Sequence, residues 1–358
     1  MTYASTTGAV IVACAAIMVG AMSRPGKAHP TGAVTWSTVS RVLDERCLSC
    51  HGPGGGAAPR LDGYEHARRA ADDMKRAVLE RRMPPWYAVE GFGDFAGNPT
   101  LTQVEATWLA DWADAGAPDD PAGAEVSDLP AEAGSHGADQ AGSHEHAHHS
   151  QSEELVLRTP AYPIEQPSHI FALPTGLTRD RWVRGWEVRP GNRALVLGAV
   201  IALAPGTTLG TWTAGDGTTM LPDGVAARLP QGATIQLTLK YRRTSSTTAD
   251  ESSVRFVFAD SPGRQLRTLP LPCGPSRIPR DIEALAIRSA RDLPGEALTV
   301  EARRPDRSVE PLAWFQNFPR AHDRTYWFRR SVALPAGTSI SVAVSDAHCG
   351  ADLEYVER

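Results

Sequence analysis

Cys47-Leu48-Ser49-Cys50-His51 is the stretch on which the reading of this chain turns. Two thiols three positions apart can add across the two vinyl groups of one haem, and the adjacent imidazole can reach the iron from the proximal side. A lone redox pair or half a zinc site would share the Cys-x-x-Cys spacing. No second such pair occurs in the sequence, however, and the histidine follows at once. The stretch therefore predicts one covalently attached haem c, held by Cys47 and Cys50, with His51 on the iron.

Helical periodicity surrounds it. Thr35 or Ser37 can cap a first helix with Val39, Val42 and Leu43 on one face, which delivers Cys47 at its end. A second helix is expected over residues 64–82, with Tyr64, Ala67, Ala71, Met74 and Val78 in register. Thr102 and Glu105 spell a capping box for a third, with Val104, Trp108 and Trp112 on one face and Gly116 and Pro118 ending it. Short helices around one haem make a small all-α cytochrome c domain, placed at residues 31–120.

The sixth coordination position of the iron decides between electron transfer and ligand chemistry. Met83 is the expected second axial ligand. It lies in Arg82-Met83-Pro84-Pro85-Trp86, where two prolines end the helix and stiffen the backbone that would hold a thioether in place. His66 is the competing donor and an open position the other alternative, while the helical spacing of Met74 marks it as packing. A thioether favours Fe(II) over Fe(III) relative to a second imidazole, so His51/Met83 ligation predicts a comparatively high potential. Trp86, Tyr87, Phe92, Phe95, Trp108 and Trp112 are expected to wrap the macrocycle and exclude water.

At 358 residues with 42% hydrophobic content, the chain is long enough for two or three domains. A net charge of −5 and the lack of a base-stacking motif argue against nucleic acid as a partner. The apolar run over residues 8–22 suits a signal-peptide core, so residues 1–30 are read as a signal peptide or N-terminal membrane anchor. Its flank lacks Lys and Arg, and Ile11-Val-Ala-Cys14 has the look of a lipidation box. Export to the periplasm agrees with haem attachment. In such an oxidising compartment Cys273 and Cys349 are expected to form a disulfide, the alternative being two free thiols.

Residues 121–153 turn to Ala, Gly, Ser, Glu and His, with Ala-Gly-Ser-His at 133–136 and again at 141–144. This composition reads as a flexible linker. Its His136, His144, His146, His148 and His149 have at most loose affinity for Cu²⁺ or Zn²⁺. Beyond it the apolar period changes to two, at Ile235, Leu237, Leu239 and Tyr241, at Val254, Phe256 and Phe258, at Leu298, Val300 and Ala302, and at Ile340, Val342 and Val344. The expected architecture is an all-β region of two tandem antiparallel β-sandwiches, at residues 154–262 and 263–358, with the boundary between residues 261 and 279.

Residues 43–119 resemble a mono-haem cytochrome module, through Cys-x-x-Cys-His, Met-Pro-Pro-Trp, Leu-Thr-x-x-Glu and the run from Trp112 to Pro118. The second half resembles copper type II, ascorbate-dependent monooxygenases, relatives of peptidylglycine α-hydroxylating monooxygenase. Arg189-Pro-Gly-Asn-Arg193, Leu229-Pro-Gln-Gly232 with the strand to Tyr241, Val300-Glu-Ala-Arg-Arg-Pro305 and Val332-Ala-Leu-Pro-Ala-Gly337 carry that likeness. The resemblance implies a His-His pair where Leu197 and Gly198 stand, a further His at Lys240, and a His-x-His pair at Ala290 and Asp292. Aliphatic side chains and Lys⁺ cannot replace imidazole on copper, so the sequence argues against catalytic copper. His169, His322 and His348 stand apart and read as surface or structural residues.

These readings favour an exported electron carrier whose β-sandwiches dock a redox partner protein and perform no catalysis. One alternative is a haem-coupled copper monooxygenase with ligands elsewhere. Another is a haem sensor or scaffold with a labile sixth position.

Overall fold

Helices form where the 3.6-residue spacing predicts them, with one break. In the computed structural model, which describes residues 34–53, 55–121, 154–244, 248–289, 297–316, 324–344 and 350–358, α1 (Trp36–Arg46) turns Val39, Val42 and Leu43 inward. The single turn α2 (Leu48–His51) follows. The expected second helix divides into α3 (Tyr64–Arg69) and α4 (Ala71–Leu79), because Ala70 leaves helical geometry with ψ near 3°. Ala67, Ala71, Met74 and Val78 are nonetheless buried, so Met74 packs as its spacing implies.

The last helix, α5 (Gln103–Asp114), opens on a complete capping box. The Glu105 amide donates to Thr102 Oγ1 at 3.2 Å and the Thr102 amide to Glu105 Oε2 at 2.6 Å, which satisfies two otherwise orphaned donors. Its inward stripe differs from expectation. Glu105, Leu109, Trp112 and Ala113 are buried, whereas Val104 is 49% exposed. One residue turns the helix by about 100°, so a stripe through 105, 109 and 112 leaves position 104 outside it. Trp112 and Leu109 are fully enclosed in the helical core, and Trp108 packs at its margin.

The β region builds two pairs of larger sheets and a separate two-stranded one. The first holds β1 (Glu154–Arg158), β2 (Tyr162–Pro163), β3 (Ser168–Pro174), β4 (Arg181–Arg189), β5 (Val196–Leu203), β6 (Thr207–Thr213), β7 (Thr219–Met220), β8 (Val225–Leu229), β9 (Thr234–Tyr241), β10 (Ala249–Asp250), β11 (Ser253–Phe258) and β12 (Arg264–Gln265). The second holds β13 (Arg267–Pro272), β14 (Gly274–Arg277), β15 (Ile282–Ser289), β16 (Ala297–Arg303), β17 (Val309–Gln316), β18 (Tyr326–Leu334), β19 (Ser339–Val344) and β20 (Gly350–Glu357).

In the first unit one sheet runs β1-β11-β4-β8-β12, with β7 on β4, and the other runs β3-β9-β5-β6. In the second the orders are β13-β20-β15-β18 and β14-β19-β16-β17. Pairing is antiparallel except where β12 runs parallel to β8. Period-two alternation explains the layering: Ile235, Leu237, Leu239 and Tyr241 of β9 point into the first core with Val254 and Phe256 of β11, and Leu298, Val300 and Ala302 of β16 point into the second. The changeover between units falls at Leu266, since β12 still belongs to the first sheet pair and β13 to the second.

The sheet containing β15 and β20 is shared. Its Ile287 and Leu353 enter the second core, while Leu285 and Val356 belong to the first. A β-bulge between Ala284 and Ala286 is what lets neighbouring residues of β15 serve both sides.

Residues 86–96, which hold four of the aromatics expected around the haem, pack against the second β unit. Ala88 bridges to Phe315 of β17 and Phe95 to Phe328 of β18, so the segment forms a strap over the edge strands of both second-unit sheets. The Val89 amide donates to the Trp314 carbonyl at 2.7 Å and the Ala96 amide to the Trp327 carbonyl at 2.8 Å. Phe95 is buried, with ring centroids 5.2 Å from Phe328, 5.4 Å from Tyr326 and 6.3 Å from Phe315. Trp86 meets Tyr326 at 4.8 Å and Phe92 meets Trp314 at 4.8 Å. Unpaired sheet edges are aggregation-prone, and the strap satisfies two of them at once. Only Trp108 and Trp112 of the six aromatics stay with the helices.

Candidate functional site

The Cys-x-x-Cys-His stretch lies where the helices meet the β units. Cys47 closes α1, its amide donating to the Leu43 carbonyl at 2.8 Å, and its side chain packs against the helical core. Burial pushes its thiol up to about 12, with the Cys50 thiol and the Glu105 carboxylate adding in the same direction. Burial also raises the Cys50 thiol. The two sulfurs are not bridged to each other.

His51 Nδ1 lies 2.7 Å from the Pro59 carbonyl, which can accept only if the proton sits on Nδ1. That tautomer leaves the Nε2 lone pair bare, as an axial ligand requires. The return of the chain to Pro59 is held by the Ala57 amide on the Cys50 carbonyl at 3.0 Å and the Leu61 amide on the His51 carbonyl at 2.9 Å. Glycine is obligatory in this loop: a Cβ on Gly55 would stand 2.0 Å from the Cys50 carbonyl oxygen.

The first β unit closes over Cys50. Its Sγ donates to the Ala214 carbonyl at 3.2 Å, and a Cβ on Gly215, whose φ is +96°, would stand 2.0 Å from that sulfur. Asp216, next in the turn, accepts from the Thr213 amide at 2.8 Å and from Arg324 Nη2 at 3.0 Å. Burial raises the Asp216 carboxyl and the Arg324 charge opposes that rise. The guanidinium also stands 5.9 Å from the Trp86 ring. Beside it Thr325 and Thr211 pin the second unit to the first, hydroxyl to hydroxyl at 2.9 Å and amide to hydroxyl at 3.0 Å.

Met83 follows the end of α4, its amide donating to the Ala77 carbonyl at 3.2 Å, and its side chain is 41% exposed. His66 is tied by Nδ1 to the backbone carbonyl of Asp62 at 2.8 Å and faces that residue's side-chain carboxylate at 3.4 Å. His169 stacks on Tyr162 at 4.1 Å and meets Phe171 at 4.6 Å, a packing role.

The residues present fit covalent haem in their chemistry: two unbridged thiols three apart, and an imidazole with a free Nε2. Attachment of haem through Cys50 would turn the thiol into a thioether and remove the hydrogen that Ala214 accepts.

Three positions where the monooxygenase resemblance implies copper ligands, Leu197, Gly198 and Lys240, come together next to this junction. Gly198 pairs with Lys240 on one side and Thr213 on the other, and the Ala214 amide donates to the Leu197 carbonyl at 3.0 Å. The Pro-Gly-Asn turn before them is a structural fastening. Its Asn192 amide donates to Asp250 at 2.7 Å, and a Cβ on Gly191 would stand 2.4 Å from the Glu251 carbonyl oxygen. Among the described residues no cluster of three or more His, Cys, Asp or Glu side chains could hold a metal ion. The linker histidines, His322, His348, Ala290 and Asp292 lie outside the described residues.

Cys273 is disulfide-bonded. The expected partner, Cys349, lies outside the described residues, and the β13–β20 register ends with Pro272 opposite Gly350. The N-terminal apolar run is outside them too. Among the described residues no helix is long and apolar enough to cross a membrane.

Sequence reasoning missed the contact of Cys50 with the 214–216 turn and the Asp216–Arg324 pair. Thr213-Ala-Gly-Asp-Gly217 announces a turn by its glycines, but nothing local says what the turn touches. Comparison with protein-family models and with curated proteins finds no match.

Proposed function

We propose that this chain is an exported c-type cytochrome that transfers single electrons and whose β units serve for docking to a redox partner protein. The observation that carries it is the pairing of two unbridged thiols three positions apart with an imidazole whose Nδ1 is committed to Pro59, leaving Nε2 available. Haem bound there supplies one-electron exchange between Fe(III) and Fe(II). Cys47 and Cys50 anchor it, and His51 is the proximal ligand in a tautomer set by the Pro59 carbonyl. Met83 is the second ligand in this reading, and the strap that follows it ties its loop to the second β unit.

Leu197, Gly198 and Lys240, which the register brings together where the resemblance implies copper ligands, are apolar or cationic, which supports docking over copper catalysis. The exposure of Met83 favours one second reading, a haem sensor whose sixth position opens to small ligands. Visible spectra of the exported protein in both redox states, run beside metal analysis, test the proposal. Covalent haem with a weak ferric band near 695 nm and no rapid carbon monoxide binding is the expected result. Rapid carbon monoxide binding would favour the sensor, and stoichiometric copper with ascorbate-driven hydroxylation the enzyme.

A further inference from the structure

Three segments distant in sequence meet at Cys50: the attachment turn, the 214–216 turn of the first β unit and the start of β18 in the second. A pair of opposite charges is fixed at that meeting point. Arg324 is 18% exposed and bonded to Asp216 at 3.0 Å, and Asp216 is held in turn by the Thr213 amide. Ala214, which accepts from the Cys50 sulfur, is two residues from Asp216. The indole of Trp86 lies 5.9 Å from the guanidinium.

We propose that Arg324, held in place by Asp216, is a positioning charge that sets the reduction potential of the haem bound through Cys50. The inference rests on the cytochrome reading given above. A fixed charge in a partly desolvated junction acts on a nearby redox centre far more strongly than one in open water. Arg324 disfavours the extra positive charge of Fe(III), and Asp216 partly cancels it. Removing the cation leaves an uncompensated carboxylate and favours Fe(III). Removing the anion leaves an uncompensated guanidinium and favours Fe(II).

Redox titration of the full-length, haem-bearing protein tests this with Arg324→Gln, Asp216→Asn, the double variant and Arg324→Lys. At the wild-type midpoint, Arg324→Gln should lower the Fe(II):Fe(III) ratio roughly threefold to tenfold and Asp216→Asn should raise it by a similar factor. That corresponds to shifts of about 30–60 mV in opposite directions, since tenfold is 59 mV for one electron. The double variant should return to within about twofold of wild type, and Arg324→Lys should stay close to it. A merely structural pair would let water reach the haem in either variant and move both potentials the same way. Shifts of one sign, or none above twofold, overturn the inference while leaving the cytochrome reading intact. Wild-type protein without covalent haem overturns both.

Discussion

Replacing Phe95 by Ala removes the side chain that joins the strap to the second β unit, and its cost can be worked from the packing. Phe95 is 5% exposed and makes ring contacts with Phe315, Tyr326 and Phe328. Truncating a buried Phe to Ala costs about 3–5 kcal/mol in lost transfer energy and cavity formation. The lower part of that range applies if the strap can collapse into the space, and the upper part if its flanking backbone bonds hold it open. Those bonds are the Val89 and Ala96 amides on the Trp314 and Trp327 carbonyls. Urea unfolding measures the stability, and hydrogen exchange at the two amides locates the loss. The expected outcome is a stability loss of about 3 kcal/mol or more, faster exchange at both amides, and an unchanged haem absorption band. A loss below about 1 kcal/mol with both amides still protected would refute the strap. So would a variant that left the second β unit intact and perturbed the haem spectrum, as expected if Phe95 lined the macrocycle.

Other outcomes follow from particular side chains. Burial holds the Glu354 carboxyl at about 7 against an ordinary 4.5, even though Arg288 and the Thr268 hydroxyl oppose the rise. The unfolded chain therefore releases this proton at lower pH than the folded one, so stability falls as pH rises through the window from 4.5 to 7. The loss amounts to roughly 3 kcal/mol at 1.36 kcal/mol per unit. Urea midpoints at pH 5 and pH 8 should show it in the wild type and lose most of it in Glu354→Gln. A Gln variant with the wild-type pH dependence would refute the assignment. Met83→Ala should leave haem attached, lower its potential and admit carbon monoxide, and an unchanged spectrum would remove Met83 from the iron. Thr102→Ala should cost about 1 kcal/mol by deleting the α5 cap, measured by thermal unfolding, and a change below a few tenths would mean that the box adds little.

Local rules carried the reading wherever the determining residues lie close in sequence. The capping box at Thr102 and Glu105, the helical stripe ending at Val78 and the alternation through β9 each involve residues within one or two turns or pleats of one another. The buried stripe of α5 was harder to read, because Val104 and Glu105 compete for adjacent faces. The core takes Glu105, whose carboxylate is occupied by the cap and by Arg46 at 3.2 Å. The strap was illegible for a different reason. Trp86, Tyr87, Phe92 and Phe95 follow no period, and their partners on β17 and β18 lie more than two hundred residues away. A separation of 164 residues likewise hid the contact of Cys50 with Ala214. The delivery of Cys47 at the end of α1 was readable from helical spacing, whereas the charges around Cys50 depend on which distant turns the fold brings there.

The central claim is that iron porphyrin is bonded to this polypeptide through Cys47 and Cys50. Acid-acetone extraction of the denatured, exported protein, followed by a pyridine haemochrome spectrum of the pellet, measures it directly. Wild-type protein should retain one haem per chain in the pellet, and Cys47→Ala with Cys50→Ala should retain none. Colour that passes wholly into the solvent from wild-type protein would contradict the account.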